Sequence, residues 1–285
     1  MILGFLGKGG SGKSTLSYRY IQLLNKKEEV VLAVDADHNM DLTYNLGVNE
    51  EFNYMGGAQK DIRTMHGAQE DDAPSALALL EKTPTFTISP KDAFTQKYSY
   101  SISPNLSLMT AGPHTDDQLY GQACSHWLTT AIKVYLPHVS LKEREHVVVD
   151  ERAGVDGVGT GMTLGWHAAI IVAEATEHGI KAANQIAKMV SFFGTPYEFA
   201  LNKVRETDDV SELHKKLIKP AMFVFMLEPS MTRKEDAVTE SFEQELEKIY
   251  TWEQRLKELQ DDRLERTKEK VRANKNYEEK RGLIV

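Results

Sequence analysis

Gly7-Lys8-Gly9-Gly10-Ser11-Gly12-Lys13-Ser14-Thr15 decides how this chain is read. It follows Ile2-Leu3-Gly4-Phe5-Leu6, a short apolar run of buried-strand type. After it, Leu16 to Leu24 reads as a helix with Leu16, Tyr20, Leu23 and Leu24 apolar. A glycine-rich turn between strand and helix points backbone N–H groups inward, at the positive end of a helix dipole. Gly9, Gly10 and Gly12 let the backbone approach an anion without a clashing Cβ. Such a turn binds phosphate.

The spacing Gly7-x-x-x-x-Gly12-Lys13-Ser14 is the P-loop pattern, here in its strand–loop–helix setting. Gly9, Gly10, Ser11, Gly12, Lys13, Ser14 and Thr15 are the expected nucleotide-binding residues. Lys13 should reach the β- and γ-phosphates, the Ser14 hydroxyl should ligate Mg²⁺, and Thr15 is placed to touch the α-phosphate.

Outward from this loop, the chain has the size and composition of a soluble globular protein. Its 285 residues can bury a full core, and 41% hydrophobic with 27% charged content is ordinary for a globular protein. No apolar run approaches the roughly 18–20 residues of a membrane span. The first strand starts at Ile2, which leaves no room for a signal peptide, and one cysteine permits no internal disulfide. The expected location is cytoplasmic. A net charge of −8 gives no support for a general affinity for nucleic acid, although a local basic patch is compatible with it.

Val30 to Val34 reads as a second buried strand running into Asp35-Ala36-Asp37-His38-Asn39-Met40-Asp41, with a helix start expected near Asp41. Acids at the carboxyl end of a strand sit where open α/β sheets bind ligands, and they also serve as caps. Residues 50–105 form a poorly legible insertion: turns at Gly56-Gly57 and Glu70-Asp71-Asp72, a short helix from Pro74 to Lys82, then irregular strands and loops from Thr83 to Pro104. Leu106 to Gly112 resumes strand character, and a helix is expected over Asp116 to Tyr135. His146-Val147-Val148-Val149-Asp150 is a buried strand closed by an acid, and Glu151-Arg152-Ala153-Gly154 follows. Downstream of a P-loop, that is the Walker-B arrangement, in which Asp150 holds Mg²⁺ through water.

Further strands are expected at 168–173, 197–201 and 221–227, with helices at 179–193, 210–217 and 233–250. Strands alternating with helices predict an α/β fold, a mostly parallel central sheet with helices on both faces. The ATPase domain is expected to span residues 1–250, and 251–285 to form a charged C-terminal helical extension. Trp252 to Arg281 holds ten basic and eight acidic residues with few apolar positions, which suits a solvated helix rather than a membrane-binding amphipathic one.

Lys8, just after the first glycine, gives a loop that resembles the deviant P-loop of the MinD/ParA class of ATPases. The Asp35-Ala36-Asp37 switch, the Asp150 strand and Asn202-Lys203-Val204 occur in that class's order. The resemblance implies an ATP-dependent homodimer in which Lys8 crosses to the partner's nucleotide. It implies that Lys8, Lys13 and Asp37 are catalytic, with Asp37 near Mg²⁺ and acting on the attacking water. It implies that Asn202 hydrogen-bonds adenine beside Lys203, and an amide at a strand's carboxyl end suits a purine chemically.

The pattern is most similar to the CooC-type family, which serves nickel insertion into carbon monoxide dehydrogenase. That family carries Cys-x-Cys between the switches, whereas this chain has Gln122-Ala123-Cys124 followed by Ser125-His126. Two copies of Cys124 and His126 across a dimer are a chemically possible N/S site for Ni²⁺ or Zn²⁺; a lone cysteine is also commonly a small buried hydrophobe. Two functions follow as expectations. One is an ATPase that assists metal-centre assembly in an unidentified client enzyme. The other is an ATP-gated partition or positioning switch that binds DNA, membrane or a protein partner, although acidity and the missing apolar face argue against the first two.

Overall fold

The computed structural model describes residues 1–65, 76–114, 128–159, 161–228, 238–258 and 261–280. β1 (Ile2–Gly7) leads through the glycine-rich loop into α1 (Lys13–Lys26), and β2 (Val30–Asp35) into the short α2 (Asp41–Asn45). The insertion contains α3 (Gln59–Met65), α4 (Ala76–Lys82), β3 (Phe86–Thr87), α5 (Ala93–Lys97) and β4 (Tyr100–Ser103). β5 (Leu106–Thr110), α6 (Thr130–Tyr135), β6 (Val139–Ser140) and β7 (Glu145–Asp150) follow, then the one-turn α7 (Asp156–Gly159). β8 (Ala168–Glu174), α8 (Glu177–Phe193), β9 (Tyr197–Val204), α9 (Val210–Lys216) and β10 (Phe223–Met226) complete the alternation. The chain closes with α10 (Glu240–Leu256) and α11 (Arg263–Lys280).

Eight strands form one sheet in the order β10-β9-β8-β1-β7-β2-β5-β4, parallel except for β4, which runs antiparallel to β5 at one edge. Every residue of β1 is buried, and its alternating side chains feed two cores. Ile2 and Leu6 pack on one face with Val149, Ala187 and Phe199. Leu3 and Phe5 pack on the other with Leu16, Tyr20, Phe223 and Ile249. That is the pattern of a parallel strand covered on both sides. Gly4 is glycine for want of space: a Cβ there would stand 2.1 Å from the Trp166 ring. Polar side chains start the long helices. Thr176 accepts from the Gly179 N–H at 3.1 Å, Asp209 caps α9, and Gly194 ends α8 with φ +76.

The expected α/β architecture is the one observed, with differences at its margins. Thr83 to Pro104, expected to hold irregular strands and loops, contains two short strands and, beyond that expectation, α5, whose Asp92 cap accepts from Thr95 N at 2.8 Å. β9 runs on to Val204, so Asn202 and Lys203 lie on the strand end itself. The helix expected over 233–250 is α10, which extends through Leu256; the expected division at residue 250 falls inside it. The part of the 116–135 helix up to residue 127, the Glu70-Asp71-Asp72 turn and the start of the 233–250 helix lie outside the described residues. α11 is anchored by arginines more than by apolar side chains. Arg263, buried, donates to the carbonyls of Leu136, Gly165 and Val139, and Arg266 to those of Gly194, Leu164 and Trp166. Among the described residues no helix is long and apolar enough to cross a membrane.

Candidate nucleotide site at the carboxyl ends of the strands

The loop between β1 and α1 folds tightly because its glycines permit it. Gly10 and Gly12 have φ of +78 and +94, and Ser11 N–H donates to Lys8 O at 3.0 Å. A Cβ on Gly7 would meet Ser11 Oγ at 2.4 Å, and one on Gly12 would meet Asn202 Nδ2 at 2.3 Å. α1 starts at Lys13 with no side-chain cap on its first turn, so its leading N–H groups point at the loop's concavity.

Strand register brings the acids to this loop. Asp35 of β2 lies opposite Asp150 of β7, and Phe5 of β1 is the next partner of Asp150. Lys13 Nζ lies 3.5 Å from both Asp37 Oδ2 and Asp150 Oδ1, and 3.2 Å from Ser14 Oγ. Burial alone would lower the Lys13 pKa, but Asp150, Asp37 and Asp35 outweigh it and raise the value. Asp150 is pushed up to about 6 by burial, against the pull of Lys13 and Ser14.

Asp35 escaped the sequence reading as a site residue, yet it organises the first switch. Its Oδ2 accepts from Thr43 N and Thr43 Oγ1, each at 2.8 Å, and its Oδ1 accepts from Asp37 N at 3.2 Å. Burial and the neighbouring Asp150 charge raise its pKa to about 7. The only sequence signal was a Thr placed eight residues beyond the strand-ending Asp. Backbone bonds tie these segments together: Gly154 N, after β7, donates to Gly7 O at 2.9 Å, and Ala36 N, after β2, donates to Asp150 O at 2.9 Å.

The structure brings Lys13, Ser14, Asp37 and Asp150 together. It places Asn202 and Lys203 against the loop's backbone: Asn202 Nδ2 donates to Ser11 O at 2.8 Å, and Lys203 Nζ bonds Gly10 O and lies 3.2 Å from Glu174 Oε1. Lys8, Gly9 and Gly10 are exposed on the rim. Cys124 and His126, the expected transition-metal ligands, lie outside the described residues. Mg²⁺ fits the donor set at Ser14 and Asp150. Asp150 Oδ2 is buried without a hydrogen-bond partner, and Mg²⁺ asks for one or two carboxylates with water and phosphate completing its shell.

A phosphate-cradling loop after the first strand, with acids ending two neighbouring parallel strands, defines a P-loop nucleotide-binding protein. The chain belongs to the CobQ/CobB/MinD/ParA nucleotide-binding-domain family, whose model matches residues 3–247. An uncharacterized ATP-binding protein of Methanocaldococcus jannaschii is 26% identical over 212 residues, covering 74% of this chain and 82% of the relative. A second from the same organism is 27% identical over 221 residues, covering 77% and 80%. Among solved structures, the cell-division ATPase MinD of Pyrococcus furiosus superposes with a TM-score of 0.61 at 18% identity, over 88% of this chain and 98% of that one. A ParA-family ATPase of Chlorobium tepidum gives 0.56 at 20% identity, over 88% and 92%. At these identities the superpositions speak to the fold alone.

Proposed function

We propose that this protein binds ATP with Mg²⁺ and hydrolyses it as a homodimeric switch, and that the switch serves metal-centre assembly in a client enzyme. The observation that carries the ATPase reading is Lys13 held between Asp37 and Asp150 at the mouth of the loop. Nucleotide bound in the loop would bring its β- and γ-phosphates to this cation, which the two carboxylates keep protonated. Bound at Ser14 and, through water, Asp150, Mg²⁺ would neutralise charge on the phosphate oxygens. Asp37, fixed by Asp35 through its own N–H, orients the water whose oxygen attacks the γ-phosphorus; the bond to the β–γ bridging oxygen breaks and ADP leaves. The Asn202 amide stays close enough to the loop to face the base, with Oδ1 the atom to accept from an adenine amino group.

Lys13→Ala is expected to abolish nucleotide binding or hydrolysis, and Asp37→Ala to leave ATP bound but unhydrolysed. Equilibrium binding and phosphate release decide both. Unchanged turnover in Lys13→Ala would overturn the P-loop reading, and loss of binding in Asp37→Ala would make that residue structural.

A second reading is a partition or positioning switch, the kind of protein found among the solved neighbours that share this fold. They include a putative plasmid partition protein of Borrelia burgdorferi bound to AMPPNP and a MinC–MinD cell division complex of Aquifex aeolicus. ATP-dependent, salt-sensitive binding of DNA or liposomes would select it. A stoichiometric Ni²⁺ or Zn²⁺ site lost in Cys124→Ala would select the metal-centre reading.

A further inference from the structure

Three lysines of this acidic chain converge on one groove and make no ion pair. Nearby lysines do: Lys215 meets Glu212 at 2.6 Å, and Lys219 meets Glu198 at 3.0 Å. Lys181, Lys188 and Lys216 are exposed, and among the described residues no acid pairs with any of them. With 42 acids against 34 lysines and arginines in the sequence, partners are not scarce. The groove is built by α8 and the end of α9. Spacings of three and four turn Lys181, Asn184, Lys188 and Phe192 to one side of α8, while Ala183, Ala187 and Val190 bury the other. Asn184 ties the exposed side to the chain after α9. Its Nδ2 donates to Lys216 O at 2.8 Å, and its Oδ1 accepts from Ile218 N–H at 3.0 Å. The groove so formed holds about 450 Å³ over buried Ile180, and Glu177 is the one acid among the described residues that line it. Lys181 and Lys188 stand a turn to either side of Asn184, about 10 Å apart along the axis, and Lys216 lines the opposite wall. Ile218, two residues beyond Lys216, and Phe192, one turn beyond Lys188, are 49% and 70% exposed.

We propose that this groove docks an acidic amphipathic segment of a partner protein. Its carboxylates would meet Lys181, Lys188 and Lys216, and its apolar side chains would cover Ile218 and Phe192. Like charges held close repel one another, and an occupant that supplies the opposite sign relieves the repulsion. A peptide uses the apolar positions as well as the cations, as helices in grooves do. A phosphate backbone gains nothing from Ile218 or Phe192, and a net charge of −8 opposes a long polyanion. Docking of this kind describes the chemistry of the partner that the proposed switch requires, but the contact itself needs neither nucleotide nor turnover.

The test selects displayed random peptides on the full chain without nucleotide, with depletion on a variant carrying Lys181→Glu, Lys188→Glu and Lys216→Glu. Recovered peptides are expected to combine several Asp or Glu with Leu, Ile or Phe. A synthetic copy should bind wild type about tenfold or more tighter than the triple variant, and added salt should weaken it. All three lysines are exposed, and the single Lys188→Ala variant, expected to lose affinity in part, keeps the test valid if circular dichroism shows the triple variant misfolded. No enrichment on wild type, peptides without an acidic bias, or equal affinity for wild type and the lysine variants overturns the proposal. So does a DNA duplex or a phosphatidylglycerol vesicle that binds through the same lysines more tightly than the peptide. ATP turnover of wild type tests the ATPase reading separately, and the docking result stands whichever way that falls.

Discussion

At the scale of single residues, the loop's geometry rests on contacts that leave no room for a methyl group. Gly12 combines φ +94 with a Cβ position 2.3 Å from Asn202 Nδ2. Gly12→Ala therefore carries two penalties, a left-handed backbone at a non-glycine residue and a collision with the amide that bonds Ser11 O. Together they should cost on the order of 1–3 kcal/mol of stability and weaken nucleotide binding. Adding Asn202→Ala removes the collision and leaves the backbone penalty. The double variant should be less destabilised than the sum of the singles, as read by urea denaturation. Additive losses would show that the amide moves aside freely. The loop glycines with Lys13, and the acids Asp37 and Asp150, could be singled out in the sequence because each sits in a short pattern at or just past the end of an apolar run. Asp35 anchoring Thr43 could not, since a strand-ending Asp reads as a cap until the turn behind it is seen.

At the scale of elements, the apolar strands and capped helices were readable because burial on both faces leaves long β-branched runs. The insertion was not, since strands of two and four residues carry too little period to register. α11 was expected as a charged helix, but its docking was not legible for a different reason: its anchors are Arg263 and Arg266 reaching main-chain carbonyls, which no hydrophobic pattern reports. His167 sits under that anchor, with Nδ1 accepting from Ile2 N–H at 2.9 Å and Nε2 3.6 Å from Asp261 Oδ2. Burial, with help from the Arg263 cation, depresses its pKa to about 4, against 6.5 for the free side chain. The unfolded chain thus binds the extra proton between those values. The His167 contribution to stability is full above pH 6.5 and is lost as pH falls through about 4. His167→Gln, which keeps an acceptor for Ile2 N–H, should take up nearly one proton fewer on unfolding in that window. The check is the pH slope of the urea midpoint; an unchanged slope would mean that His167 is already charged in the native state.

At the scale of the whole molecule, Lys8 makes the dimer testable. It lies exposed on the rim of the loop, whereas Lys13 is buried between Asp37 and Asp150, so the two lysines do not duplicate one another. In a face-to-face dimer the Lys8 cation would approach the partner's phosphates, and a γ-phosphate would add a contact available only in the closed form. ATP with Mg²⁺ is therefore expected to favour dimers over ADP, and Lys8→Ala to weaken dimerisation while sparing ATP affinity in the monomer. Sedimentation of both proteins with ADP and with a non-hydrolysable ATP analogue reads this directly. Identical oligomeric states in all four samples would leave Lys8 a plain surface lysine.

Asp35 and Asp150 face each other as register partners on adjacent parallel strands, and Phe5 at the mouth of the loop is the partner on the next. Their separation is therefore counted in strand spacings of about 4.8 Å, a length fixed by main-chain hydrogen bonding and indifferent to which side chains fill the layers around it. A ruler made of backbone can be inherited while nearly everything else drifts. Core residues may be exchanged for others of similar bulk, and whole loops lengthened, without re-cutting the distance between the acids. The sheet is thus a gauge block that descendants can re-clothe, which accounts for a fold retained at 18% identity.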